Sequence, residues 1–211
     1  MRNEIAEALE LIGNFSKPSK MPCQSWSIPA KRCKTGMKLR DVIGSVCSKC
    51  YALKGRYPFP NVQKALERRF ESLSNPLWED AMVVAISKTE SSGFFRWHDS
   101  GDLQSVEHLE KIVNIAKRIP SIRFWLPTRE YGFVSEFVKR HGNFPENLTV
   151  RLSSLMIEGK PPSAIAERFN LTTSGVSKEG FTCPSSKQDG KCLTCRACWD
   201  QNVKNVNYKM H

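Results

Sequence analysis

Gly93-Phe94-Phe95-Arg96-Trp97-His98 reads as a β-strand: a short, largely aromatic run with a glycine before it and the polar Asp99-Ser100-Gly101-Asp102 after it. Val106, Leu109, Ile112, Val113 and Ala116 then recur at helical spacing, and Ile122-Arg123-Phe124-Trp125-Leu126 reads as a second strand. A helix over Phe133 to Arg140 and a third strand, Leu148-Thr149-Val150-Arg151-Leu152, continue the alternation. Parallel neighbours need a crossover connection, and helices supply it here. The expected fold class is α/β, with a partial TIM-barrel-like or open, mainly parallel sheet.

Towards the N-terminus, Val62, Ala65, Leu66, Phe70 and Leu73 form a helical stripe, and Leu77 to Ser87 predicts another helix. Ile5, Ala8, Leu9 and Ile12 predict a short opening helix that breaks at Gly13 to Lys20. From Met21 to Pro60 no period is visible, and Pro22, Pro29, Gly36, Gly44, Gly55, Pro58 and Pro60 punctuate the chain. So long a stretch without a period is expected to be functional or to be held by something other than a core. Gly180 to Trp199 is irregular in the same way. Residues 1–211 therefore read as a single α/β domain with cysteine-rich segments at 21–60 and 180–200. Pro162 to Ser177 has the look of a helix-turn-helix, but Thr172, Thr173 and Gly175 argue for a strand or turn where its second helix would start.

With 40 % apolar and 25 % charged residues, the composition is that of a globular protein. The charged, amphipathic start has no apolar signal core, and no apolar run approaches membrane-spanning length. The expectation is a cytoplasmic protein with no membrane partner. Thiols stay reduced there, so eight cysteines read as metal ligands or redox groups rather than four disulfides. Eleven basic residues against the single acid Asp41, between Phe15 and Ala65, carry nearly all of the +11 net charge. Such a block points to an anionic partner: nucleic acid through segment 15–65, a small anionic ligand or an anionic cofactor.

Cys183, Cys192, Cys195 and Cys198 lie in one loop with two successive two-residue gaps. That spacing turns three thiolates towards one centre, as in the cysteine run of bacterial ferredoxins. Zinc is the alternative, although four-cysteine zinc sites more often pair two separate knuckles. Cys23, Cys33, Cys47 and Cys50 form a looser set inside the basic block. A four-iron cluster with four thiolates carries a charge of roughly −2, which adjacent lysines and arginines offset. The expected cofactor is an iron–sulfur cluster of the 4Fe-4S type, one or two of them; the sequence does not show which cysteines share a metal.

His98, Asp99 and Asp102 follow the first strand, Thr128-Arg129-Glu130 lies at the matching end of the second, and Arg151, Ser153 and Ser154 at that of the third. Carboxyl ends of strands are where α/β folds bind ligands. His98, Asp99, Asp102 and Arg129 are accordingly the candidates for acid/base work or for holding a ligand. Helix capping by Asp102 and core packing of His98 are the structural readings of the same residues.

Cys47-Ser48-Lys49-Cys50-Tyr51-Ala52, the run from Phe95 to Asp102, Leu126-Pro127-Thr128-Arg129 and the closing cysteine-rich run together resemble the gene product 88-like family of phage and prophage proteins. The resemblance covers roughly Met21 to Trp199. It implies a partial TIM-barrel-like α/β body carrying an iron–sulfur cluster, similar in appearance to radical S-adenosylmethionine enzymes. The Cys-x3-Cys-x2-Cys signature of those enzymes is absent: Cys47 and Cys50 match its last gap, but Ile43 stands where its first cysteine would be. The expected function is redox or electron transfer with an unidentified redox partner, or cluster-dependent chemistry on a bound molecule. The alternative is a zinc-stabilised nucleic-acid-binding protein.

Overall fold

A computed structural model describes residues 2–177 and 180–209. In chain order the regular elements are the helix Arg2–Leu11 (α1), strand Ser25–Trp26 (β1), and helices Lys34–Leu39 (α2), Pro60–Ser72 (α3) and Trp78–Thr89 (α4). Strand Phe94–Trp97 (β2), helix Val106–Arg118 (α5), strand Arg123–Thr128 (β3), helix Tyr131–His141 (α6) and strand Leu148–Ser153 (β4) follow. Helix Ser163–Arg168 (α7), strand Thr172–Gly175 (β5) and strand Asn205–Asn207 (β6) complete the set. Single helical turns at Ala30–Arg32, Cys47–Lys49, Tyr51–Leu53, Pro184–Lys187 and Ala197–Trp199 carry much of the remaining chain.

The six strands form one sheet in the order β1-β2-β3-β4-β5-β6, and every pairing is parallel. Strands added in sequence order by right-handed crossovers place their helices on one face. The side chains agree. Phe95, Trp97, Phe124, Leu126, Leu148, Val150 and Leu152 alternate along their strands and join one core with residues of α1, α4, α5, α6 and α7. Trp97 and Phe95 are fully buried there, with ring centroids 5.2 Å apart. Truncating either would cost about 3–5 kcal/mol. The α/β reading of the sequence is thus met, and Thr172–Gly175 pairs with β4 and β6 as a strand, as Thr172, Thr173 and Gly175 argue against a helix-turn-helix.

The opposite face is different. Arg96 is in register with Trp125, Trp125 with Thr149, and Pro127 with Arg151. Arg96, Trp125, Pro127, Arg129, Thr149 and Arg151 therefore share the face away from the helices. The two cysteine-rich segments cover it. A second, smaller core of Met21, Cys23, Trp125, Cys183, Cys198, Trp199 and Val206 sits between them and the sheet.

Sequence periodicity missed β1 and β6, because β1 is two residues long and β6 is polar. Their hydrogen bonds to neighbouring strands define them, not an apolar pattern.

Candidate metal and ligand site

All eight cysteines are free. The fold sorts them three and five. Cys33 follows β1 and precedes α2, at the carboxyl end of the sheet, and Cys47 and Cys50 lie on the helical turn and its end that face it. A side chain begun at Gly36 would meet the Cys33 and Cys47 sulfurs, each at 3.6 Å, so the bare glycine keeps the space between them clear. Glu130, just past β3, fixes this group from the sheet: its carboxylate accepts from the Thr35 amide and the Thr35 hydroxyl, both at 2.8 Å, at the start of α2. Burial, with Asp102 and then Cys50 and Cys47 adding, pushes the Cys33 thiol pKa up. Burial raises that of Cys47 as well, opposed by the nearby Arg129 guanidinium.

Cys23 belongs elsewhere. It precedes β1, so a strand of the parallel sheet separates it from Cys33, and it packs with Cys183 and Cys198 in the smaller core. The Cys192 amide donates to the Lys20 carbonyl at 2.8 Å, which ties the tail loop to the segment before β1. Cys192 in turn interacts with Cys183, Cys195 and Cys23. Cys23 is pushed up to about 12, chiefly by burial, and Cys198 to about 11 by burial against a hydrogen bond to Tyr208, whose hydroxyl lies 3.3 Å from its sulfur. Sequence order had grouped Cys23 with Cys33, Cys47 and Cys50; in space it joins Cys183, Cys192, Cys195 and Cys198. Among the described residues no three His, Cys, Asp or Glu side chains converge closely enough to hold a single metal ion.

Both groups open on one cavity of about 470 Å³, lined by Cys33, Cys47 and Cys50 at one side and by Cys183, Cys192 and Cys198 at the other. Arg96 lies between them. Its guanidinium stacks 4.4 Å over the Trp125 ring and donates to the Tyr51 hydroxyl, next to Cys50 in the chain. Burial opposes its charge, but Tyr51 and Asp99 outweigh that and raise its pKa.

The strand-end candidates separate into different roles. His98 is in a left-handed conformation (φ 53°) and is buried against Trp26, Trp97 and His108, with neither ring nitrogen partnered. Burial lowers its pKa well below the usual value, so it stays neutral. Asp99 accepts from the hydroxyls of Ser25, Ser27 and Tyr57, and its carbonyl accepts from Tyr51. Asp102 does not cap α5, since Ser105 does so by accepting from the His108 amide at 3.1 Å. Instead Asp102 accepts from Thr128 Oγ1 at 2.6 Å and from the amides of Arg129 and Leu103, joining the ends of β2 and β3. Its pKa rises to about 6 because burial outweighs those hydrogen bonds. Gly101 lets this turn close on β1: a side chain there would strike the Ile28 side chain and its carbonyl oxygen. Arg129 donates from Nε to the Ser154 carbonyl at 3.1 Å and lines the cavity.

Arg151 has a role that its strand-end position did not announce. Fully buried, it donates to the carbonyls of Cys198, Thr173, Val203, Ala197 and Asp200. All five of its N–H groups are spent on the backbone, chiefly of the tail loop. Tyr51, Arg96 and Tyr208 are the site residues that sequence reading passed over; the one visible signal was that Tyr51 directly follows Cys50.

No curated protein and no solved structure matches the chain. The sequence does match one protein family over residues 3–201, nearly its whole length. By that match the chain belongs to the gene product 88 family.

Proposed function

We propose that this is an iron–sulfur protein whose two cysteine groups hold clusters on either side of the sheet-face cavity, for electron transfer to a partner or for cluster-dependent chemistry on a molecule in that cavity. The observation that carries the reading is the convergence of six of the eight free cysteines, from two distant loop segments, onto a single cavity. Cys33, Cys47 and Cys50 would hold one cluster, and the group of Cys23, Cys183, Cys192, Cys195 and Cys198 the other. The donor set fits. Thiolates are the ligands such clusters take. The space that Gly36 leaves between the Cys33 and Cys47 sulfurs suits a bulky inorganic core. A single zinc ion draws its thiolates to about 2.3 Å, whereas a cluster takes one thiolate at each of several irons. Arg129 beside Cys47 and Arg96 beside the larger group offset the negative charge of a bound cluster. When bound, the clusters supply one-electron chemistry. The chain's own residues fix the thiols, keep the smaller core dry and place cations at the cavity wall.

A reducing, cytoplasmic setting fits free thiols, and no helix among the described residues is long and apolar enough to cross a membrane. Anaerobic purification followed by iron, sulfide and zinc analysis and a visible spectrum tests the proposal. A brown protein with iron and sulfide in comparable amounts is expected. A colourless protein with stoichiometric zinc, unchanged after reconstitution with iron and sulfide, would overturn it. That outcome, together with salt-sensitive nucleic-acid binding, would point to a zinc-stabilised nucleic-acid-binding protein using segment 15–65.

A further inference from the structure

We infer that the cavity between the two cysteine groups binds an elongated organic dianion, with Arg129 taking one acidic end and Arg96 the other. The inference rests on the reading above only in treating this face as the working face of the protein. Arg96 is in register with Trp125, and Arg129 stands four residues further along the same strand direction, so the two are on the order of 13 Å apart along the sheet. Both line the cavity, and neither has an ion-pair partner among the described residues.

The two carboxylates that share the cavity are already engaged. Asp99 is held by hydroxyls of Ser25, Ser27 and Tyr57, and Asp102 by Thr128 and two backbone amides, one of them that of Arg129 itself. Six cationic side chains line the cavity against those two acids: Lys20, Arg40, Lys49, Arg96, Arg129 and Lys209. Buried donors without acceptors stand at both ends. Arg96 Nε has none at one end, and at the other Ser154 Oγ, 1 % exposed as a residue, is unpartnered next to the carbonyl that Arg129 holds. A buried donor left unpaired is costly, so these groups mark places for a ligand's oxygens. Between the arginines the wall is apolar: Trp125, Pro127, Met21 and Val46. Two cationic ends joined by an apolar wall fit an acid at each end of a hydrocarbon or aromatic spacer. A guanidinium pairs with each carboxylate in a fork-to-fork geometry.

Isothermal titration of the anaerobically purified full chain tests this, with straight-chain dicarboxylates from succinate to sebacate, their monocarboxylate counterparts and inorganic phosphate as probes. Affinity is expected to peak at an intermediate chain length in the series, at least about tenfold tighter than the matched monocarboxylate. Arg96→Gln and Arg129→Gln should each remove that tenfold advantage while retaining monocarboxylate-like binding. Arg129→Lys, which keeps the charge and loses the fork, should lose most of it, and circular dichroism confirms that each variant is folded. Equal binding of mono- and dicarboxylates, binding without length dependence, binding of phosphate alone or no binding overturns the inference. Iron, sulfide and zinc are measured on the same sample after reconstitution: length-dependent binding by protein that keeps stoichiometric zinc and takes up no iron would sink the cluster proposal alone, and iron-loaded protein without such binding would sink this inference alone.

Discussion

Arg151 Nε donates to the carbonyl oxygen of Cys198 at 3.1 Å, from a strand position that is wholly buried. The same guanidinium reaches Ala197 and Asp200 at 2.7 Å and Val203 at 2.8 Å, so one side chain of β4 holds the backbone turn that carries the last cysteine. No carboxylate is needed, because five carbonyl dipoles surround the charge. Burial lowers the Arg151 pKa, but from so high a starting value the group stays charged.

Replacing this side chain should release the tail loop. Arg151→Met leaves those carbonyls buried without donors and is expected to cost about 3 kcal/mol or more, read as a lower urea midpoint. Iron content should fall by the share held at the larger cysteine group, with the Cys33 group still loaded. Equal loss from both groups would argue against so local a clasp.

Gly36 makes a separate prediction. Gly36→Val puts a branched side chain between the Cys33 and Cys47 sulfurs, where even a Cβ would stand 3.0 Å from that of Cys33. α2 is short and peripheral and has no buried residues, so stability should change by less than about 1 kcal/mol. Metal bound at the Cys33 group should be lost. Full metal retention in Gly36→Val would mean that the cluster does not occupy this space.

The partition of the cysteines can be read directly. Cys23→Ala should alter the same spectroscopic species as Cys198→Ala, and a different one from Cys33→Ala or Cys47→Ala. If Cys23→Ala instead pairs with Cys33→Ala in its paramagnetic-resonance signature, the three-and-five division fails.

Acid should destabilise the protein through His108. Burial, with Lys111 adding, lowers its pKa from 6.5 to about 3, while Nδ1 accepts from the Gln104 amide and Nε2 is buried without a partner. The unfolded chain takes up a proton near pH 6.5 and the folded chain resists until about 3. The stabilisation is therefore complete above pH 6.5 and lost as pH falls towards 3, up to about 5 kcal/mol. His98, lowered in the same direction, adds to the slope. His108→Gln removes one titrating group and should flatten the fall in urea midpoint between pH 7 and pH 4; an unchanged slope would show that His108 is not held neutral.

Much of this architecture is legible along the chain. Phe95 and Trp97 flank Arg96, and Leu148, Val150 and Leu152 alternate with Thr149 and Arg151, while the intervening helices keep a 3.6-residue period. Local sequence therefore specifies a parallel α/β sheet, and the loops that carry the cysteines stand out by lacking any period. A polar strand such as Asn205–Asn207 escapes notice because its partner strand defines it.

Which cysteines meet was decided only in three dimensions. Ser25–Trp26 carries the chain along the sheet from one end towards the other, so Cys23 before it and Cys33 after it part company although ten positions separate them. Cys23 falls instead beside the tail loop, over one hundred and fifty residues away in sequence, because Arg151 and the Lys20–Cys192 hydrogen bond bring that loop onto the same face. The sequence by itself determined the layers, the number of thiols and the loops that bear them. The pairing of those thiols, and the cavity between Arg96 and Arg129, came from the direction of the strands and from buried hydrogen bonds whose partners lie far apart in the chain.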